Sequence, residues 1–581
     1  MSSSSYILGI NESHNASAAL FKDSQIIACV SEERFTRKKL QSGTPKNAID
    51  YCLNFAGISF KDLAQVFISD IEPPFLDPKD SPYSRYRPPF PFYIRAFFDI
   101  EAKFPLFEKL FYYLYKKYIK FKLRGSRKNR LSNLQKIIPL PLAKFTFVNH
   151  HLCHGLAALF SSDFPKRKES CLVFTCDGVG DFESATISKF EDGNLIRLST
   201  ITFQHSIGFF YQHITQLLGL KPVEDEYKVM GLAPYAEKTK SKEVYKLLAP
   251  YFKINKSENK WEIAPPEYYL WNQLPKLLSY KRFDSIAGAA QEIIEEILSK
   301  WVENALDYYK MSNAVFGGGV FANVKVNQKI AQSSKIKQAF FMPSPGDESN
   351  AIGAACFYYL DKLVPTPVQN LYLGVGFSDY EIEDLLRQEL KNKRSYSLKK
   401  EKNINATIAK LLFQGSVVAR FVGRMEFGAR TLGNRSILAN PSNPKIVEWI
   451  NSAIKKRDFW MPFAPTILRE RAKDYLILHK ADSPFMNVSF RVSKKGEKDL
   501  AAAIHPYDKT TRAQILDEKA NPSYYDLIKK FEKLTGIGAV LNTSFNIHGE
   551  PIVATVQDAF RVFERSKLKY LAIGNFLVAK K

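Results

Sequence analysis

The sequence predicts an α/β protein whose first domain contains two related halves, because one order of strands occurs twice. "YILGI", "ASAALF" and "IIACV" are three short apolar runs, and the turn "KDSQ" separates the last two. About 165 residues later, "CLVFTCDGVGD", "ESATISKF" and "LIRLSTITF" repeat this order, with the turn "EDGN" in the same place. Short apolar runs bounded by polar turns are typical of strands. Their repetition indicates two similar halves that face a cleft.

The length of the chain and a proline-containing stretch predict where this domain ends. A chain of 581 residues is too long for one hydrophobic core. The stretch "VPTPVQNLYLGVGFS" carries two prolines before a short apolar strand, and a helix-rich start and a second α/β pattern follow it. We therefore expect a first domain at 1–365 and a second α/β domain at 375–581.

The cellular location is predicted from what the sequence lacks. "MSSSSYILGI" has no basic region followed by an apolar stretch, so we expect no signal peptide. No run of ~18 uncharged apolar residues predicts a transmembrane helix. The six cysteines form no C-x-x-C pair. In a chain of this length they indicate reduced thiols and a cytoplasmic protein.

The positive charge of the chain is concentrated in one aromatic segment, at about 79–144. This segment holds 16 Lys and Arg against 4 Asp and Glu, a net +12 of the chain's +24. Interleaved basic and aromatic residues favour a surface for anionic lipid, a carrier protein or nucleic acid. The alternative is a basic helical insertion whose aromatic residues pack on the main body of the protein.

Three histidines occur together in "VNHHLCHGLAALF" and predict a metal site. If this stretch is helical, His150 and His154 lie one turn apart on one face, as two ligands of a single metal do. Asp347, on a glycine-bounded loop, is the candidate third ligand. Such a set suits iron, zinc or manganese. The alternative is a hydrogen-bonded pair of histidines at a helix N-terminus. His14, in "GINESHNASAA", is a candidate general base.

Glycine-rich and arginine-rich loops predict binding of phosphate groups. In "NAVFGGGVFANVKVNQKI", a strand passes through Gly317, Gly318 and Gly319 into a helix, so backbone N–H groups can approach a phosphate or nucleoside closely. The alternative is a tight strand–helix turn. In the second domain, arginines on separate loops indicate a site for a small anion, or a set of surface salt bridges.

Taken together, these motifs resemble the O-carbamoyltransferases of the NodU/CmcH family. The stretches that carry the resemblance follow one another along nearly the whole chain: "GINESHNASAALFKD", "SEERFTRKK", "VNHHLCHGLAALFSS", "CDGVGD", "EYKVMGLAPY", "GGGVFANVKVNQ", "PGDESNAIGAA", "RMEFGARTLGNRSILANP" and "LNTSFNIHGEPIV". The resemblance does not cover the basic segment. It implies a duplicated domain of the actin-like ATPase fold, similar to TsaD and Kae proteins, followed by a YrdC-like domain.

The resemblance also implies a reaction in two stages. Carbamoyl phosphate is hydrolysed in the second domain, and the carbamate is protected from water because it decomposes there. ATP then converts carbamate into carbamoyl-adenylate. In the first domain, the carbamoyl group moves to a hydroxyl of a small-molecule, sugar or natural-product acceptor. The expected metal is iron ahead of zinc or manganese, and Mg²⁺ can accompany ATP.

The resemblance assigns roles to residues of this sequence. The metal ligands are His150, His154 and Asp347, and His14 lies near the transferred group. Residues expected to bind nucleotide are Asp177, Gly178, Gly180, Lys228, Gly317, Gly318, Gly319 and Asn323. In the second domain, the expected catalytic cations are Arg430, Lys455 and Arg457, and the expected substrate-binding residues are Arg435, Arg512, Asn542 and Ser544.

Two other functions remain open from the sequence. One is a threonylcarbamoyl-adenylate enzyme that modifies tRNA, which the basic segment would suit. The other is a nucleotide-binding scaffold whose basic segment docks on a membrane or another anionic partner. Nucleic acid is the less favoured partner, and a homodimer is one expected assembly.

Overall fold

The chain forms two compact units. The computed structural model describes residues 5–73, 110, 112–114, 116–117, 121, 124–265, 267–360 and 366–581. Unit 1 comprises residues 1–27 and 40–367, and unit 2 comprises residues 28–39 and 368–581. Most of the basic segment lies outside the described residues, so its expected anionic partner remains a prediction. The last part of the segment contains the helix Arg124–Ile137.

Unit 1 contains two five-stranded sheets. The first sheet has the order β3-β2-β1-β4-β5 and the second the order β8-β7-β6-β11-β12. The strands of the first sheet are β1 (Tyr6–Asn11), β2 (Ser17–Lys22), β3 (Gln25–Ser31), β4 (Leu63–Ser69) and β5 (Phe145–Val148). The strands of the second are β6 (Cys171–Gly180), β7 (Glu183–Glu191), β8 (Asn194–Thr202), β11 (Asn313–Gly317) and β12 (Gln338–Phe341). Between them, β9 (Phe252–Asn255) and β10 (Lys260–Ile263) form a hairpin.

The two sheets of unit 1 repeat one topology. In the first sheet, β1 pairs antiparallel with β2 and parallel with β4, and β4 pairs parallel with β5. In the second sheet, β6 pairs antiparallel with β7 and parallel with β11, and β11 pairs parallel with β12. The central strands are almost wholly apolar and buried, as strands covered on both faces are. This repeated order is that of the actin-like ATPase fold, so the predicted duplicated α/β fold of the first domain is confirmed.

Helices cover these sheets, and two of them occupy equivalent positions. Helix His150–Ser161 follows β5, and helix Asn350–Cys356 follows β12. They pack closely, since a Cβ added to Gly353 would lie 1.8 Å from the carbonyl oxygen of Cys153. In the described part of unit 1, the other helices with at least seven residues are Lys46–Ala56, Arg124–Ile137, Ile207–Leu217, Glu226–Leu232, Lys238–Leu248, Glu267–Leu277, Phe283–Tyr308 and Val324–Ala331.

Unit 2 is built on one eight-stranded sheet of order β13-β23-β22-β14-β15-β21-β16-β20. Its strands are β13 (Tyr396–Lys400), β14 (Val418–Phe421), β15 (Arg435–Ala439), β16 (Ala464–Leu468), β20 (Gln514–Leu516), β21 (Ala539–Ser544), β22 (Tyr570–Ile573) and β23 (Phe576–Lys580). A small sheet contains β17 (Leu476–Ile477), β18 (Phe490–Val492) and β19 (Thr510–Thr511). The longer helices of unit 2 are Asp379–Leu390, Ile404–Phe413, Pro522–Thr535 and Val556–Arg565. That this unit is YrdC-like remains a prediction.

Unit 2 also includes a short segment from near the start of the chain, residues 28–39. Arg37 donates to the carbonyl oxygens of Pro551 and Ile552, each at 2.7 Å. Arg34 is buried and donates to the carbonyl oxygen of Gly428 at 2.7 Å. The sequence analysis did not anticipate this segment of unit 2.

Candidate functional site

Four side chains of unit 1 converge on one point. They are His150 and His154, from one face of helix His150–Ser161, with Asp177 of β6 and Asp347, which follows β12. The two Nε2 atoms lie 3.1 Å apart. Oδ2 of Asp177 lies 3.1 and 3.2 Å from them, and Oδ1 of Asp347 lies 3.6 and 3.4 Å from them. These four side chains, called the metal group below, could hold a metal ion.

The spacing in the metal group fits a metal ion. Two ligand atoms at about 2.1 Å from one ion, separated by 90–109°, lie about 3.0–3.4 Å from each other. Most of the distances above fall in this interval. In addition, Oδ1 of Asp347 is buried and accepts no hydrogen bond from the described residues. Imidazole and carboxylate ligands suit Fe²⁺, Zn²⁺ and Mn²⁺.

The local structure explains why His150 takes this position. The Asn149 side chain caps the helix by accepting from the Leu152 N–H at 2.9 Å, and Asp181 accepts from the His150 N–H at 2.8 Å. The ring of His150 then lies against the backbone of Gly180, where a Cβ added to the glycine would be 2.0 Å from Cγ of His150. The absence of a side chain at position 180 therefore makes room for the histidine.

A third carboxylate, that of Asp70, contacts the ring nitrogen of His150 that does not face the metal group. Oδ1 of Asp70 lies 2.7 Å from Nδ1 of His150, which leaves Nε2 for the metal group. Burial opposes protonation of His150, but Asp70 and Asp347 outweigh it and hold the pKa of this histidine well above its ordinary value. Burial likewise disfavours the charge on Asp177, but the two histidines hold its pKa well below its ordinary value.

Asp347 links the metal group to His14. Its Oδ1 faces the two histidine rings, while its Oδ2 lies 3.1 Å from Nδ1 of His14 and 2.6 Å from the hydroxyl of Ser13. The His14 side chain is 46% exposed. Nε2, the other ring nitrogen of His14, is the atom that could act as a general base.

The glycines expected to bind nucleotide pack closely around the metal group. Gly318 has φ +103°, and an added Cβ would lie 2.3 Å from the carbonyl oxygen of Cys176. A Cβ on Gly317 would lie 2.5 Å from the carbonyl oxygen of His154, and one on Gly319 would lie 2.8 Å from Oδ1 of Asp177. Close packing accounts for glycine at these positions, and their nucleotide-binding role remains a prediction.

In unit 2, Lys455 and Arg457 lie beside the end of β21. Nζ of Lys455 is buried and contacts the carbonyl oxygen of Ser544, and it donates to Oδ1 of Asn546 at 2.7 Å. Arg457 donates to the Thr543 hydroxyl at 3.1 Å. Burial and the nearby cations Arg457 and Lys39 lower the pKa of the Lys455 amine well below its ordinary value. A buried amine beside other cations favours an anion as its ligand.

Two residues expected to bind substrate make several hydrogen bonds within unit 2. Arg435 is fully buried, and its guanidinium donates to four carbonyl oxygens, which belong to Val375, Val422, Gly423 and Asn434. Its Cζ also lies 3.7 Å from the centre of the Phe421 ring. The amide of Asn542 donates to the Thr431 carbonyl and the Thr466 hydroxyl, both at 3.1 Å. Both groups are engaged within unit 2, and their substrate-binding role remains a prediction.

Family models match most of the chain. Residues 6–356 match the model described as carbamoyltransferase N-terminus, and residues 409–580 match carbamoyltransferase C-terminus. The chain belongs to the carbamoyltransferase family. It is a carbamoyltransferase enzyme, as the resemblance implied.

Relatives of this carbamoyltransferase match it over most of its length. An uncharacterized protein of Methanocaldococcus jannaschii is 34% identical over 589 residues, which cover 99% of each chain. Nodulation protein NolNO of Sinorhizobium fredii is 28% identical over 591 residues, 98% of this chain and 79% of that protein. Among solved structures, component A of the Acidaminococcus fermentans (R)-2-hydroxyglutaryl-CoA dehydratase is 15% identical, with a TM-score of 0.32, over 61% of this chain and 97% of that chain.

The remaining expected site residues of the carbamoyltransferase lie on loops and helix ends. Arg430 precedes β15, and Arg512 lies between β19 and β20. Asn323 caps helix Val324–Ala331 and exchanges two hydrogen bonds with Gln291. Lys228 pairs with Asp225 at 3.3 Å. Their roles remain predictions.

Three carboxylates near the metal group were missed or assigned differently by the sequence analysis. Asp177 was expected to bind nucleotide, but it lies within the metal group. Asp70 and Asp181 orient His150 and were not singled out. The sequence did contain a signal for Asp70. Asp70 directly follows an apolar strand, in the same way that Asp177 lies at the polar end of "CLVFTCD".

No helix in the described part of the chain has both the length and the apolar character needed to cross a bilayer.

Proposed function

We propose that this carbamoyltransferase is ATP-dependent and uses carbamoyl phosphate as its carbamoyl donor. Carbamoyl phosphate and water give carbamate and phosphate. Carbamate and ATP then give carbamoyl-adenylate and pyrophosphate. Finally, an acceptor hydroxyl takes the carbamoyl group, and AMP is released. The observation that supports this best is the convergence of four metal-binding side chains directly beside an exposed histidine, in a chain that matches both carbamoyltransferase models.

Unit 2 would carry the first stage. Carbamoyl phosphate bears two negative charges, and Lys455 and Arg457 lie together with the hydroxyl of Ser544 at the end of one strand. The exposed Lys39, from the segment 28–39, adds a third cation near Lys455. Arg430 and Arg512 are proposed as further ligands on neighbouring loops. Such a cluster favours a phosphate dianion over a neutral ligand.

Unit 1 would carry the second stage. His150, His154, Asp177 and Asp347 would hold the divalent metal ion, for which iron is the first choice. When bound, the ion supplies a Lewis acid that polarises an oxygen atom. His14 would take the proton of the acceptor hydroxyl through Nε2, while Asp347 holds its other nitrogen. The acceptor would be a small molecule, a sugar or a natural product with a free hydroxyl.

The test is to incubate the protein with ATP, carbamoyl phosphate and a divalent metal, without acceptor, and to measure pyrophosphate and carbamoyl-adenylate. We expect both products with the native protein and neither with Lys455→Met. Lys494→Met is the matched control, because this lysine is 94% exposed in unit 2. His14→Asn separates the stages: it should still form adenylate but fail in transfer.

Two results would overturn the proposal. If adenylate forms only with threonine and bicarbonate, the enzyme belongs to the threonylcarbamoyl type. If the native protein and Lys455→Met release pyrophosphate equally, carbamoyl phosphate is not handled at Lys455.

A further inference from the structure

Arg130 lies on helix Arg124–Ile137, within the basic segment that the family resemblance does not cover. Its guanidinium makes three hydrogen bonds to residues elsewhere in unit 1. Nε donates to Oε2 of Glu12 at 2.6 Å, and the two terminal nitrogens donate to the carbonyl oxygens of Asp70 and Ser69 at 2.7 and 2.8 Å. Cζ lies 4.6 Å from the centre of the Phe147 ring. The side chain is only 8% exposed, so Arg130 is a fixed part of the interior.

The two carbonyl contacts hold an unusual backbone conformation. Asp70 has φ +68°, in the left-handed region that residues with a Cβ rarely adopt. Such a conformation persists only where surrounding contacts hold it. Arg130 contacts the peptide on each side of Asp70, and the Ser69 hydroxyl lies 2.9 Å from its carboxylate. The position of this carboxylate, 2.7 Å from Nδ1 of His150, therefore depends on the guanidinium.

The contact with Glu12 extends the same support to the loop after β1. Glu12 is buried, and its other oxygen accepts from the Thr44 hydroxyl at 2.6 Å. His14 follows two residues later. Arg130 thus bridges the ends of the neighbouring strands β1 and β4, one leading to His14 and the other to the residue that orients His150.

We propose that Arg130 is a positioning residue for the metal group, which it orients through Asp70 and the ring of His150. This inference rests on the metal role given to that group under the proposed function. It also assigns a task to the basic segment: one of its cations supports the site from within the protein rather than binding an anionic partner.

The test compares metal binding by the native protein, Arg130→Met, Arg130→Lys and the matched control Lys136→Met. Lys136 is an exposed cation on the same helix and contacts Asn133 within it. Affinity for Co²⁺ would be measured by competition with a chelator, and the absorption spectrum of bound Co²⁺ would report its ligand geometry. Groups that orient metal ligands contribute about 10–100-fold to affinity. We expect a loss of that size for Arg130→Met together with a changed spectrum, a smaller loss for Arg130→Lys, and no change for Lys136→Met.

A second variant separates positioning from general stability. Asp70→Asn keeps the size of the side chain and removes the charge that Arg130 positions. If Arg130 acts through Asp70, adding Arg130→Met to Asp70→Asn should cost far less than its effect in the native protein. Native affinity and spectrum in Arg130→Met, or fully additive losses in the double variant, would overturn the inference alone. Absence of Co²⁺ binding by the native protein would overturn the metal role and the inference with it.

Discussion

Replacement of Gly180 by alanine should displace one of the proposed metal ligands. An added Cβ would lie 2.0 Å from Cγ, 2.1 Å from Cδ2 and 2.6 Å from Cβ of His150. Non-bonded carbon atoms require about 3.5 Å, so the ring must move by about 1.5 Å. A metal site tolerates about 0.2 Å in its ligand distances. The backbone at this glycine is outside the left-handed region, so the effect arises from contact with His150 rather than from strain.

We expect Gly180→Ala to lower metal affinity by about 100-fold or more, because His150 leaves the metal group. Affinity would be measured by chelator competition, and metal content by elemental analysis of the purified protein. Gly193→Ala, in the turn between β7 and β8 of the same sheet, is the control, because an added Cβ there would meet no atom of the described residues within 4 Å. A Gly180→Ala protein that binds metal as tightly as the native protein would refute the assignment of His150 as a ligand.

Three further predictions follow from other contacts. Arg435→Met should lower the free energy of unfolding by at least about 3 kcal/mol, because four carbonyl oxygens lose a charged donor. Arg387→Met, at a 68% exposed arginine, is the control and should change the free energy of unfolding by less than about 0.5 kcal/mol. Urea titrations measure both changes. Phosphate binding should take up a proton at pH values between the lowered pKa of the free Lys455 amine and its higher pKa beside the anion. Calorimetry in buffers of different ionisation enthalpy measures this, and identical observed heats in all buffers would contradict it. All six cysteines are buried, and burial raises the pKa of the Cys153 thiol well above its ordinary value, so the native protein should react slowly with a thiol reagent and the denatured protein should show six thiols.

The fold of unit 1 was predictable because its signals are local. Each strand is a short apolar run beside a polar turn, and the run order repeats, so a duplication is visible without any knowledge of contacts. The helical spacing of His150 and His154 is equally local, and the structure places both side chains on one face. Asp347 was identified because glycine and small residues mark its loop.

Other features depend on contacts between distant residues, which spacing does not reveal. Asp177 and Gly180 occur in one motif, "CDGVGD", yet the first belongs to the metal group and the second makes room for the ring of His150. The sequence could not distinguish a carboxylate that binds metal from one that contacts nucleotide, because both occur beside glycines at strand ends. The surroundings of Arg435 were hidden for a similar reason. An arginine beside a loop predicts a bound anion, and spacing does not reveal that its guanidinium donates to four carbonyl oxygens.

The segment 28–39 sets a delay on the completion of unit 2 during synthesis. Arg37 and the carbonyl of Ile552 that accepts from it are 515 residues apart along the chain. At about 5–20 residues per second, a ribosome needs about half a minute to nearly two minutes to make the intervening polypeptide. Throughout that interval, Arg37 is already present while its partner Ile552 has not yet been translated, and Gly428, the partner of Arg34, follows Arg34 by 394 residues. A fragment that begins at residue 368 would lack these arginines, so unit 2 acquires the contacts described here only in a chain that also contains residues 28–39.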